Sequence, residues 1–148
     1  MKVFIGADHN GFHLRNSLID YMAKAGYEVQ DDGDKVLNSE DDFPIYANKV
    51  VADVLQYGSQ ARGILICGSG QGMCMAANRF KGIRAVLGYD RESICSARND
   101  DDANVLCLPA STVKDNSINV LVEVFMNTPF AAAPRFARRI SELDNLTA

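Results

Sequence analysis

Ile64-Leu65-Ile66-Cys67-Gly68-Ser69-Gly70-Gln71-Gly72 is an apolar run that ends on a thiol and opens into a glycine-rich turn before a helix-like segment. An apolar run closed by a turn signal reads as a buried strand, and the glycines let the backbone bend without Cβ clashes. Successive free N–H groups at the start of the next helix then point into one small space, which suits an anionic reaction centre. A thiol at the strand end sits beside that cradle.

The same alternation continues outward in both directions. Strand-like 2–6 is followed by helix-like 11–25, with Leu14, Leu18, Ile19 and Met22 on one face and Gly26 as its stop. A strand at 27–31, a polar loop at 32–43 and a helix from about 45 to 57 lead to the strand at 62–67. Beyond it come helix 71–80, strand 84–88, helix 91–99, strand 104–108 and helix 115–126. Five strands joined by helical crossovers predict an α/β fold: a Rossmann-like, doubly wound five-stranded parallel sheet with helices on both faces. A C-terminal helix, roughly 132–144, is expected outside the sheet or against another subunit. Ligands of such sheets bind at the carboxyl ends of the strands, which here carry Asp8 and His9, Cys67, and Asp90. A chain of 148 residues with 47% hydrophobic composition suits one domain spanning 1–148.

Charge and composition exclude several classes. A net charge of −4, with Asp100-Asp101-Asp102 as its densest cluster, offers no basic stripe for nucleic acid. The opening Met1-Lys2-Val3-Phe4-Ile5-Gly6-Ala7-Asp8 turns polar after three apolar residues, so neither a signal peptide nor a membrane span is expected. Cys67, Cys74, Cys95 and Cys107 form no C-x-x-C pair, which predicts reduced thiols and a cytoplasmic location. Two histidines, His9 and His13, are too few for a catalytic metal cluster. Neither a metal nor an organic cofactor is expected.

The glycine loop has competing readings. Gly68-x-Gly70 with Asp90 about twenty residues on imitates a dinucleotide fingerprint, but Met73 occupies the third glycine position and the loop follows the third strand instead of the first. No Gly-Lys-Ser/Thr closes a P-loop. A tight turn needed only for packing is the bland alternative. Cys67 is either an inert core thiol or, at a helix N-terminus whose potential favours the thiolate, a base or nucleophile. Cys74, Cys95 and Cys107 read as structural. In Asp8-His9-Asn10-Gly11, Asp8 or Asn10 can cap the next helix while His9 meets a phosphate. Arg135 and Arg139, four residues apart, share a helix face and are either solvated or a phosphate clamp.

Taken together, Gly6-Ala7-Asp8-His9-x-Gly11-Phe12, Asp42-x-Pro44, the 64–72 run, Ala76-Ala77-Asn78-Arg79, Gly82-Ile83-Arg84-Ala85, Asn104-Val105-Leu106 and Thr128-Pro129-Phe130 with Arg135-x-x-x-Arg139 resemble the type B ribose-5-phosphate isomerase family, which includes the galactose-6-phosphate isomerase subunits. The resemblance implies aldose–ketose isomerisation of a sugar phosphate through a cis-enediolate. It implies no cofactor, and a homodimer or dimer of dimers with active sites at the interface. By position, Cys67 would move the proton between C1 and C2, and the amides of Gly68, Ser69, Gly70, Gln71 and Gly72 would hold the enediolate oxygen. The Ser69 hydroxyl would assist transfer between oxygens, Asp8 would hold sugar hydroxyls or help with the ring, and His9, Arg135 and Arg139 would bind phosphate.

The departures from that pattern point to a changed substrate. Asp100 and Asp101 stand where family members usually carry a His-Asn pair whose His opens the furanose ring. Asp100 could still exchange that proton and Asp101 contact the substrate, but a carboxyl with an ordinary pKa near 4 is a poor acid at neutral pH unless burial raises it. Phe43 replaces a tyrosine, Phe136 a histidine, and Ser111 an arginine. The expected activity is sugar-phosphate isomerisation with little turnover of ribose 5-phosphate; an open-chain tetrose phosphate or a sugar acid are candidate substrates. The alternatives are a non-catalytic sugar-phosphate-binding paralogue and a subunit that needs a partner chain.

Overall fold

A computed structural model describes residues 1–113 and 115–146, the side chains of 115 and 116 excepted. Its elements, in chain order, are β1 (Lys2–Ala7), α1 (Phe12–Lys24), β2 (Glu28–Asp31), α2 (Phe43–Tyr57), β3 (Ala61–Cys67), α3 (Gln71–Ala77), β4 (Ala85–Leu87), α4 (Arg91–Asp101), β5 (Val105–Pro109), α5 (Asp115–Asn127) and α6 (Pro134–Asp144). All five strands pair in parallel, in the order β2-β1-β3-β5-β4. This is the doubly wound α/β architecture that the alternating apolar runs imply.

Strand side chains alternate between two faces, and each face owns a core. Ile64 and Ile66 join Val3, Ile5, Leu106 and Leu108 beneath Leu18, Met22, Ile94, Ile118 and Phe125 of α1, α4 and α5. Leu65 and Cys67 point the other way, with Phe4, Val105 and Cys107, against Tyr46, Val50, Val54, Met73 and Ala77 of α2 and α3. The two-residue period therefore aims the Cys67 side chain at the α2–α3 layer. Each fully buried aliphatic or aromatic side chain in these layers contributes about 1.5–3 kcal/mol.

Several boundaries differ from the sequence expectation for local reasons. Helix α3 stops at Ala77, not at 80, because the Asn78 side chain donates to the Ala85 carbonyl at 2.8 Å and accepts the Ala85 N–H at 2.9 Å. The chain is thereby tied to β4 instead of continuing the helix. Helix α4 runs on to Asp101 and closes at Asp102, whose backbone is left-handed (φ 46°) and whose carboxylate is held by Arg84 and Arg98 at 3.1 and 2.7 Å. Two arginines at that terminus offset the repulsion an acid meets at a helix C-terminus. Helix α6 begins at Pro134, whose ring suits a first helical turn, and not at 132.

Candidate active site

Strand order fixes where a crevice can form. From β1 the chain goes to β2 on one side and then crosses back over β1 to β3 on the other, so the strand order reverses direction between β1 and β3 and a crevice opens at their carboxyl ends. Ala7 pairs with Ile66 across these strands, which places Asp8 and Cys67 side by side where the two strands end. Gly11 brings α1 close to the same point: a Cβ there would lie 2.7 Å from Ile66 Cγ2 and 2.8 Å from the Ile66 carbonyl oxygen.

Cys67 is buried, 6% exposed, and its sulfur accepts the Gly70 N–H at 3.1 Å. The turn that delivers this amide needs glycine. Gly70 has φ 74°, and a Cβ on it would meet Leu87 Cδ1 at 2.5 Å. The Gln71 N–H turns back to Ser69 Oγ at 3.3 Å. Phe43 walls the loop, its ring 3.0–3.2 Å from a Cβ placed on Gly72, and Ser111 lies beside Gly68 with its N–H on the Gly68 carbonyl at 2.9 Å. Both positions where the chain departs from the type B pattern near the loop thus line it.

Asp8 is buried, and its Oδ1 accepts the N–H groups of Asn10 and Gly11 at 3.0 and 3.2 Å. Burial pushes its carboxyl above the ordinary value, and the Gly11 N–H partly offsets this. Asp8 thus shapes the turn, while Gly11 at the start of α1 has no side-chain cap. His9 is held by Asp41: Oδ1 of Asp41 accepts the His9 backbone N–H at 3.1 Å and lies 2.6 Å from Nδ1. That bond raises the His9 pKa. Burial pushes the Asp41 carboxyl up, but the bonds from the His9 ring and backbone outweigh it and hold the group below its ordinary value.

Asp41 is the residue that sequence reading passed over, since it sits in the polar loop before α2 with no periodicity or motif to mark it. A second surprise is Cys74, read as structural: the neighbouring Cys107 thiol draws its pKa down to about 7 against the effect of burial, and Cys107 itself is pushed well up by burial. Asp90 takes no ligand-like position; its carboxylate caps α4 by accepting the Ser93 N–H at 2.8 Å.

The remaining candidate residues lie elsewhere. Gly63 near the amino end of β3 bonds to Asn104 and Asn104 to Arg84, whose Nε donates to the Asp101 carbonyl at 2.9 Å. Asp100, held by Asn99 at 2.7 Å, and Asp101 therefore sit at the amino ends of the strands. Helix α6 packs on α4 at that same end, with the Ala131 N–H on the Asn99 carbonyl and Asp144 3.8 Å from Arg84. It carries Arg135 and Arg139 exposed, Arg135 lying over the ring of buried Phe136 at 4.6 Å. The span of β3 from Gly63 to Cys67 alone is about 13 Å. One chain brings Asp8, His9, Cys67 and the 68–72 loop together and holds Asp100, Asp101, Arg135 and Arg139 apart from them. Among the described residues, no group of three or more His, Cys, Asp or Glu is placed to hold a metal ion, and no helix is long and apolar enough to cross a membrane.

A family model described as Ribose/Galactose Isomerase matches residues 3–143. The chain belongs to the ribose/galactose isomerase family. Ribose-5-phosphate isomerase B of Mycobacterium tuberculosis is 31% identical over 147 residues, covering 97% of this chain and 88% of the relative. A crystal structure of ribose-5-phosphate isomerase B from Mycoplasma genitalium with bound ribulose-5-phosphate matches with a TM-score of 0.93 and 35% identity, covering 97% of this chain and 93% of that one. The ribose 5-phosphate isomerase from Thermotoga maritima matches with a TM-score of 0.92 and 38% identity over 98% of each chain. Membership in the ribose/galactose isomerase family makes the protein a sugar-phosphate aldose–ketose isomerase, and the fold and family expected from the sequence both stand.

Proposed function

We propose that this ribose/galactose isomerase family member moves a proton between C1 and C2 of an open-chain sugar phosphate with Cys67 as the base. The observation that carries this reading is the buried Cys67 sulfur, held by the Gly70 N–H at 3.1 Å, beside Asp8 at the strand switch. The Cys67 thiolate takes the proton from C2 of the aldose. The C2–H electron pair forms the C1–C2 double bond, the carbonyl pair moves onto O1, and a cis-enediolate results. Amides of residues 68–72 stabilise that oxygen as charge develops on it, Ser69 passes a proton between the two oxygens, and the thiol returns its proton to C1. Asp8 holds substrate hydroxyls, and His9 binds phosphate.

Arg135, Arg139, Asp100 and Asp101 serve this chemistry in a second copy of the chain. Their place at the amino ends of the strands supports an interface site, since one chain cannot bring them to Cys67. The solved relative that carries ribulose-5-phosphate supports a phosphorylated sugar. Asp100 in place of a ring-opening histidine, with Phe43 against Gly72 and Ser111 beside Gly68, favours a substrate that is already open-chain, such as a tetrose phosphate, over ribose 5-phosphate.

The test is incubation in D2O with four-, five- and six-carbon aldose and ketose phosphates, following C1/C2 deuterium and product by NMR, with Cys67→Ala as the control. Exchange that depends on Cys67 with a four-carbon substrate, and slow turnover of ribose 5-phosphate, is the expected result. Silence across the panel from folded protein would sink the isomerase reading of the isolated chain.

A further inference from the structure

Both ring nitrogens of His9 are engaged. Nδ1 lies 2.6 Å from Asp41 Oδ1, the oxygen that also accepts the His9 backbone N–H, and Nε2 lies 2.9 Å from the side-chain nitrogen of Asn10. Asn10 in turn leans on the glycine loop, its Cγ 3.6 Å from a Cβ placed on Gly68. The Asp41 side chain is 6% exposed and that of His9 33%, so the carboxylate is a built support and the ring is the part that meets the crevice.

A carboxylate that grips one residue by its main chain and by its ring fixes the ring's rotation and its tautomer. Nδ1 carries a proton toward Asp41, and Nε2 faces Asn10 and the loop. The charged groups that act most on the ring are anionic: Asp8 from the turn after β1, and Glu40 with Asp41 from the loop before α2. Within one copy of the chain, these carboxylates oppose a phosphate approaching the rim, and a charged ring offsets them.

We propose that Asp41 is a positioning residue for anion binding: by clamping His9 at Nδ1 and at its backbone N–H, it aims the imidazolium, with the Asn10 amide, at a phosphate group lying against Gly68. The inference rests on the reading of His9 as a phosphate ligand and extends it to a residue that no sequence motif marks. When the ring is charged, Nε2 also donates, either to the Asn10 side-chain oxygen or to the incoming phosphate. The bond to Asp41, with Asp8 and Glu40 acting in the same direction, keeps the ring charged to higher pH than a free histidine.

The experiment uses the full chain and inorganic phosphate as the probe, with histidine proton and 15N NMR titrations of wild type, Asp41→Asn and His9→Gln. In wild type, phosphate affinity falls as pH rises through the His9 pKa, and Nδ1 keeps its proton above that pKa. Asp41→Asn lowers the His9 pKa, weakens phosphate several-fold at neutral pH and moves the pH profile down with it; His9→Gln removes the profile. A His9 pKa or phosphate affinity that ignores Asp41→Asn overturns the proposal, as does a neutral ring protonated at Nε2. The tautomer is read on wild type, so a variant that fails to fold leaves the proposal exposed to refutation. Neither readout needs a sugar, so failure of the isomerase reading and failure of the Asp41 role are separable.

Discussion

The backbone N–H of Gly70 donates to the sulfur of Cys67 at 3.1 Å, so an amide at the start of α3 does for this buried thiol what water does for an exposed one. A negative sulfur gains most from such a donor, because hydrogen bonds to an ionised acceptor are roughly twice as strong as neutral ones. Cys67→Ala removes the sulfur and leaves the loop. Deuterium exchange at C1/C2 should fall by about 10²–10⁴ or more, while circular dichroism and the urea midpoint change little.

Gly70→Ala tests the loop itself. A Cβ at φ 74° would meet Leu87 Cδ1 at 2.5 Å and the Leu108 carbonyl carbon at 3.2 Å. Strain and overpacking together should cost about 1–3 kcal/mol in urea denaturation. Activity should fall further than stability, because the amide on the Cys67 sulfur is displaced. Wild-type stability in this variant would mean that the turn relaxes freely.

Asp8 gives a prediction about pH. Its folded-state pKa is raised, chiefly by burial, so the native state holds its proton more tightly than the unfolded chain. Stability therefore declines as pH rises from the unfolded value toward the raised one, and above that the cost is fully present. Asp8→Asn keeps an oxygen for the Asn10 and Gly11 N–H groups and removes the charge. Its urea midpoint should exceed wild type at neutral pH and converge with it below about pH 4, the ordinary aspartate range, while activity is lost. An equal or lower midpoint at neutral pH would show that the charge is not a burden.

Separation of the two residue groups predicts complementation. Cys67→Ala and Arg139→Ala, each inactive alone, damage opposite ends of the strands. If two copies share each site, randomised mixed dimers should recover about a quarter of wild-type activity, since half the dimers are mixed and each holds one intact site. No recovery from chains shown to exchange would place all the working residues within one copy.

Much of this was legible in the sequence because the signals are local. The continuous apolar run 64–67 marks a strand buried on both faces, and the glycines after Cys67 mark a turn whose backbone demands one at Gly70. What was not legible comes from long-range pairing. Asp41 meets His9 across 32 residues, and nothing in the loop 32–43 has a period that would reveal it. Arg98 is buried, 2% exposed, because it bonds the Ala103 and Thr128 carbonyls and Asp102. On sequence alone it is one more polar residue of an amphipathic helix. The end of α3 was missed because Asn78 finds its partner in β4, seven residues on.

The strand order carries a consequence for synthesis of the chain. Strand β4, three residues long, is made before β5 yet among the described residues has only β5 as a ladder neighbour, and β5 also covers the open side of β3. Until β5 is available, native pairing can build no more than a β2-β1-β3 fragment, with the β3 edge bare and β4 without its partner. Non-local parallel pairing is slow and exposes such edges to other chains. Seating β5 closes both openings at once, so the edge of β3 stays available to another chain until β5 is in place.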